Sequence, residues 1–169
     1  NLRKNYMNVL GIDPGKSGGV AVIKTQSYKI PEIIFAQRMP TLALNNKKII
    51  DILSLKIDLE KILIDVAIIE KVHAMPRQGV TSSFQFGRSY GSVEALCQII
   101  TKRVDYVSPV VWKKAMGLDS SKQASLDLAR LKFGNSPIWK VKANDGIAEA
   151  ALLSLFWIDK YTSKINEKR

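Results

Sequence analysis

One stretch limits the fold more than any other. Val9-Leu10-Gly11-Ile12 is an apolar run that ends in Asp13, passes through Pro14-Gly15-Lys16-Ser17-Gly18-Gly19, and re-enters an apolar run at Val20-Ala21-Val22. Two apolar runs joined by proline and glycine read as paired strands with a tight connection. Asp13 then stands where a buried strand ends. A carboxylate there is costly unless it is paired or binds a metal.

The rest of the sequence extends this reading. Residues 8–12 and 19–24 are the first two strands and Ile30–Met39 the third, a meander of antiparallel strands. Asn46–Ile64 is predicted as a helix, with Ile49, Ile50, Leu53, Ile57, Leu59 and Ile62 at helical spacing. Val66-Ala67-Ile68-Ile69 ends in Glu70 and is apolar throughout, as a central strand covered on both faces would be. Residues 71–80 contain Pro76 and Gly79 and read as a loop. Thr81 or Ser82 is expected to cap a helix to about Lys102. Val104–Val107 is a fifth strand. Ser108-Pro109 opens a short helix through Met116, with the serine as cap and the proline in the first turn, and Gly117 ends it. Ser120 or Ser121 starts a helix to about Phe133, and Asn144 or Asp145 starts the last, to about Tyr161. This order is α/β: a mixed five-stranded sheet with helices on both faces.

Length and composition limit what such a fold can be for. The 169 residues fit a single domain over 1–169, with 1–6 and 162–169 expected as flexible ends. Met7 is a plausible natural start, which would make Asn1–Tyr6 dispensable. No apolar stretch approaches the ~18 residues of a membrane span, and the N-terminus lacks the apolar core of a secretion signal. Cys97 is the only cysteine and His73 the only histidine, so a thiolate cluster and a multi-histidine zinc site are both excluded within one chain. The cysteine count suits a reducing cytoplasm. The 26 Lys and Arg against 15 Asp and Glu give a net charge of +11, which points to polyphosphate partners before anionic membrane. A basic protein from a lysine-rich proteome is the plain alternative.

Four acids fall in chemical positions. Asp13 and Glu70 end strands that emerge at one sheet edge if those strands are parallel neighbours. Asp145 and Glu149 are four apart and share a helix face. An aspartate at a helix start is often only a cap. Glu149 sits beside the apolar face within Ile147-Ala148-Glu149-Ala150-Ala151-Leu152, where an unpaired carboxylate is unfavourable. Four clustered carboxylates raise one another's pKa unless cations intervene, and oxygen-only donors favour hard ions, Mg²⁺ first and Mn²⁺ as a substitute. Two ions ~3.5–4 Å apart are the arrangement that holds a scissile phosphate for in-line hydrolysis.

Five motifs carry a family resemblance: Gly11-Ile12-Asp13-Pro14-Gly15, Ile68-Ile69-Glu70-Lys71-Val72, Ser108-Pro109-Val110-Val111-Trp112-Lys113-Lys114-Ala115, Lys122-Gln123 and Asp145-Gly146-Ile147-Ala148-Glu149-Ala150. In order and spacing they resemble the RuvC-type Holliday junction resolvases, over about residues 8–157. Met75-Pro76-Arg77-Gln78-Gly79 and Phe86-Gly87-Arg88-Ser89-Tyr90-Gly91 look closest to the phage and organellar branch. The resemblance implies an RNase H-like fold, a homodimer, four-way junction DNA as substrate, and paired nicks made with Mg²⁺, two ions per site. It implies Asp13, Glu70 and Glu149 as metal ligands with Asp145 as the fourth, although the family's last pair is usually three residues apart. It implies DNA contacts from Lys71, His73, Arg77, Gln78, Arg88, Lys113, Lys114 and Lys122. Lys113 or Lys122 would steady the developing phosphorane charge. His73 stands near the family's aromatic wedge position. It reads equally as an ordinary loop histidine, with Met75, Phe84 or Phe86 as alternatives. Phe84, Phe86 and Tyr90 fit a packed helix face better than base stacking. The helix Ser82–Lys102, with Gly87 and Gly91 four apart, is the expected dimer interface.

The implied location is a bacterial or phage-infected cytoplasm, or an organelle stroma or matrix. Three rival readings stand beside this one. A sugar-kinase or actin-like ATPase also opens on Gly-Ile-Asp and a glycine turn, but normally needs two such domains. A non-catalytic junction binder would not need all four acids. An RNase H-like nuclease on an RNA–DNA hybrid or flap is poorly separated by sequence.

Overall fold

A computed structural model describes residues 6–26, 30–73 and 79–166. The strands are β1 (Tyr6–Asp13), β2 (Gly19–Gln26), β3 (Glu32–Arg38), β4 (Thr41–Leu44), β5 (Lys47–Ile50), β6 (Val66–Glu70) and β7 (Val104–Val107). The helices are α1 (Ile52–Leu59), α2 (Val80–Ile100), α3 (Pro109–Ala115), α4 (Lys122–Phe133) and α5 (Asp145–Asn166). Five strands form one mixed sheet in the order β3-β2-β1-β6-β7. β1, β2 and β3 pair antiparallel, and β6 and β7 run parallel to β1.

Alternation along the central strands fills two cores. Val9, Ala21, Ile23, Val66 and Ile68 pack under α3, α4 and α5 with Trp112, Leu126 and Trp139. Leu10, Ile12, Val20, Val22, Ala67 and Ile69 face the other way, onto Leu55 and Leu59 of α1 and Val93, Leu96 and Cys97 of α2. Every residue of β6 is buried, as its unbroken apolar run predicts. Among the described residues, no helix is long and apolar enough to cross a membrane.

Several local expectations need correction. The stretch read as one helix over Asn46–Ile64 is a hairpin followed by a short helix. Leu44 pairs with Lys47 across Asn45-Asn46, both in the left-handed region (φ 48° and 60°). Asparagine tolerates that conformation, and it is what a two-residue hairpin loop demands. Asp51 then caps α1 by accepting from the Ser54 N–H at 3.0 Å, which resets the chain to helix at Ile52, six residues later than expected. That helix stops at Leu59, not Ile64. α2 begins at Val80 after Gly79 and not at a Thr81 or Ser82 cap, and Ser108 makes no side-chain cap to α3. Ser121 does cap α4. Tyr6 pairs with Gln26 at the start of the sheet, and α5, expected to end at about Tyr161, continues to Asn166. The remaining end residues, 1–5 and 167–169, lie outside the described residues.

Candidate active site

The site forms where three elements end or begin. β1 and β6 are parallel neighbours in register through Ile12 and Ile69, so Asp13 and Glu70 emerge one step later, side by side. Parity puts both on the α5 side: Gly11, two before Asp13, touches α5, and Ile68, two before Glu70, belongs to the α5 core.

α5 comes down onto that edge because its first turns carry little bulk. Gly18 bridges to Gly146 in the backbone. A Cβ on Gly146 would stand 2.5 Å from the Gly18 carbonyl carbon, and one on Gly11 only 2.0 Å from the Ala150 carbonyl oxygen. Glycine at these contacts permits an approach that no other residue does. Asp145 and Glu149, one turn apart on α5, thereby close over Asp13.

Electrostatics follow from this geometry. Asp13 accepts from the Gly15 N–H at 3.3 Å. Burial above all, then the Glu70, Glu149 and Asp145 carboxylates, push its pKa up to about 7. Burial raises Glu70 as well, opposed by the Trp112 indole N–H, which donates to Glu70 Oε1 at 2.8 Å. The two helix acids have basic partners. Lys113 Nζ meets Glu149 Oε1 at 2.7 Å, and the Ser125 hydroxyl donates to the same oxygen at 3.1 Å. Lys122 Nζ meets Asp145 Oδ2 at 2.6 Å, and that contact is the main reason the Lys122 pKa rises. Lys113 also lies over the Trp112 ring.

Among the described residues, no three His, Cys, Asp or Glu side chains stand close enough together to hold an ion as they are placed. The donor set nevertheless fits a hard divalent cation. All four groups are carboxylates, two are matched by lysines, and Asp13 is pushed toward neutrality by burial and by the carboxylates around it, a penalty that a bound cation would relieve.

The other sequence-derived positions scatter around this centre. Lys114 is exposed on α3. Lys71 is exposed just after β6, where its N–H donates to the Val107 carbonyl at 2.7 Å. His73 is exposed. Arg88 is exposed on α2, and its neighbour Phe84 is 66% exposed. Tyr90 packs against the α2 core. Arg77, Gln78 and Met75 lie outside the described residues. Sequence reasoning assigned no role to Trp112 or Ser125. A buried indole N–H needs a partner, and Ser125 shares a helix face with Lys122 at i,i+3, so both carried a signal.

No protein-family profile matches the sequence, and no curated protein matches it. Solved structures do match in fold. Thermus thermophilus RuvC in complex with a Holliday junction substrate superposes with a TM-score of 0.63 at 14% identity, over 91% of this chain and 96% of that one. Thermus thermophilus RuvC in a second structure gives 0.60 at 14% identity, over 92% and 98%. The yeast mitochondrial Holliday junction resolvase Ydc2 gives 0.52 at 15%, over 89% and 77%. The fold of this chain is that of the RuvC-type resolvases.

Proposed function

We propose that this chain is a Mg²⁺-dependent endodeoxyribonuclease that works as a homodimer and resolves four-way DNA junctions by paired phosphodiester hydrolysis. The observation that carries the reading is the convergence of Asp13, Glu70, Asp145 and Glu149 from β1, β6 and α5 on one edge and one face of the sheet, with Asp13 held at about 7. The likeness in fold to a resolvase bound to a junction supports the choice of substrate.

Asp13, Glu70, Glu149 and Asp145 would hold the ions. Bound Mg²⁺ supplies Lewis acidity and a water of lowered pKa. Hydrolysis breaks one backbone P–O ester bond, the water oxygen takes its place on phosphorus, and the leaving oxygen gains a proton. Trp112 and Ser125 each hold one carboxylate oxygen, of Glu70 and of Glu149, and so orient the two groups. Lys122, 65% exposed at its side chain, reaches from Asp145 toward solvent and meets the extra negative charge of the phosphorane. Binding rests on shape and phosphate contacts and weakens with salt. Two symmetric nicks call for a two-fold dimer. α2 supports that role, because Gly87 and Gly91 have open space around them and Phe84 is exposed.

The test is cleavage of a four-way junction beside duplex, flap and RNA–DNA hybrid, in Mg²⁺ and in chelator. Paired symmetric nicks on the junction are expected. They should vanish in chelator and in Asp13→Asn or Glu70→Gln, whose junction binding persists. Lys122→Ala should slow cleavage more than it weakens binding. Preference for hybrid or flap would move the chain to another nuclease class. Binding with no cleavage of any substrate would make it a junction-binding protein, and ATP hydrolysis without DNA would favour the ATPase reading.

A further inference from the structure

Lys113 and Lys122 stand where metal chemistry alone does not require them. Each ends on a carboxylate and not in open solvent. Lys113 Nζ is 2.7 Å from Glu149 Oε1, and Lys122 Nζ is 2.6 Å from Asp145 Oδ2. The two come from different helices, α3 and α4, and take the two acids of α5. Glu149 Oε1 also accepts from the Ser125 hydroxyl at 3.1 Å. A carboxylate oxygen offers two lone pairs, so two donors leave that oxygen nothing for a cation. The ion pairs thus compete with the ligand role of the same acids, and as placed no three acids among the described residues gather around one point. Formal charge gives the arrangement a purpose. Two ammonium groups offset half of the charge of the four carboxylates. Once two divalent cations face those carboxylates, both ammonium groups lack a counter-charge, and the phosphates of a DNA strand supply it.

We propose that Lys113 and Lys122 are built-in counter-ions, which hold Glu149 and Asp145 in ion pairs while no DNA is bound and release them to metal as the lysines turn to the phosphates of the strand. Metal uptake and strand binding are thereby coupled, and each raises the affinity for the other. The protein without DNA takes metal weakly. The assignment rests on the nuclease reading and deepens it, because it gives that site a control. The two lysines differ in grip. The Lys113 side chain is 21% exposed and that of Lys122 65%, so the Lys113 pair is the less screened and the harder to part.

The test is calorimetric titration of Mn²⁺ into the full chain without DNA, with junction cleavage scored alongside. Lys113→Met and Lys122→Met keep an unbranched side chain and remove the charge. Lys113→Met should tighten manganese binding roughly tenfold, and Lys122→Met about threefold, since an exposed pair is worth less. Lys114 is exposed on the same helix as Lys113 and makes no ion pair among the described residues. Lys114→Met removes the same charge from open solvent, where it is screened, and should leave the affinity within about twofold. The manganese needed for half-maximal cleavage should differ less between wild type and variants than the calorimetric affinities do, because the strand has already drawn the lysines away. If Lys113→Met does not fold, Lys122→Met carries the test, its side chain being largely exposed. Unchanged affinity in both variants, with the junction still cut by the wild type, would overturn the counter-ion role and leave the nuclease reading standing. Equal tightening by Lys114→Met would trace the effect to overall charge and overturn the role as well. No manganese uptake by any form, together with no cleavage, would sink the nuclease reading, and the counter-ion role would fall with it.

Discussion

The two faces of the central sheet are built on different terms. On the α5 face, helix and strand meet backbone to backbone: Gly11 lies against the Ala150 carbonyl, Gly18 against Gly146, and Ala148, Ala150 and Ala151 are fully buried. On the α1/α2 face the layers meet through Leu10, Ile12, Val20, Leu55, Leu59 and Val93. Long side chains can change rotamer to absorb a change, and backbone atoms cannot. The face without slack is the one that positions Asp145 and Glu149 over Asp13. The more forgiving face carries α2, whose outer side is open.

The sharpest way to break this contrast is to add one methyl group to the tight face. Gly146→Ala or Gly11→Ala puts a Cβ into space already filled by backbone, so α5 must move. Each should cost about 3 kcal/mol, the upper end for overpacking. Leu55→Met on the other face should cost less than about 1.5 kcal/mol. Urea melts of the three variants decide it. Equal losses on both faces would erase the distinction drawn here.

Next in size is Asp13→Asn. The folded pKa of Asp13, about 7, lies above its ordinary 3.8, so its contribution favours folding below pH 4 and is lost as the pH climbs to 7. At pH 8 in chelator the charge is a burden, and Asn should stabilise the protein by roughly 2 kcal/mol. At pH 3.5, where Asp13 is protonated in the folded state and mostly so in the unfolded one, the two proteins should melt nearly alike. Added Mg²⁺ should raise the Tm of the wild type at pH 8 and leave the variant unmoved. Thermal melts at the two pH values check all three points. An Asp13→Asn variant no more stable than wild type at pH 8 would mean the carboxylate is already compensated.

Trp112→Phe comes third. It keeps the ring and removes the indole N–H from Glu70 Oε1. A stability loss of about 1.5 kcal/mol is expected in a urea melt, together with a further rise in the Glu70 pKa. This residue also marks how far the sequence could be read. Asp13 and Glu70 were legible because each ends an apolar run, and the period of the run fixes where the side chain emerges. Asp145 and Glu149 were legible as a pair because helix spacing puts them on one face. Trp112 stood in plain view beside Lys113, yet its partner lies 42 residues away, and no local pattern encodes that pairing. Lys113 and Lys122 read as phosphate contacts, and their pairing with Glu149 and Asp145 depends on how α3 and α4 dock, which periodicity does not give. The β4–β5 hairpin was misread for the opposite reason. Ile49 and Ile50 fit a helical period, and that tertiary-scale signal hid the local one, the Asn45-Asn46 pair that closes a two-residue turn.

The smallest effect tests the open face. Gly87 and Gly91 lie inside α2 with no atom within 4 Å of where a Cβ would be. In the isolated fold, alanine at either position fills nothing and removes the backbone freedom that glycine loses on folding. Each substitution should therefore stabilise by about 0.5–1 kcal/mol. That gain is opposite in sign to the loss expected at Gly11 or Gly146, although the chemical change is the same methyl group. If α2 is the surface where two copies meet, the added methyls also hold the helices apart. The double variant should then melt higher when dilute and sediment more as monomer at micromolar concentration. A double variant that gains stability and keeps its sedimentation unchanged would move the dimer contact away from these glycines. One that loses stability when dilute would show that the open face is as tightly specified as the closed one.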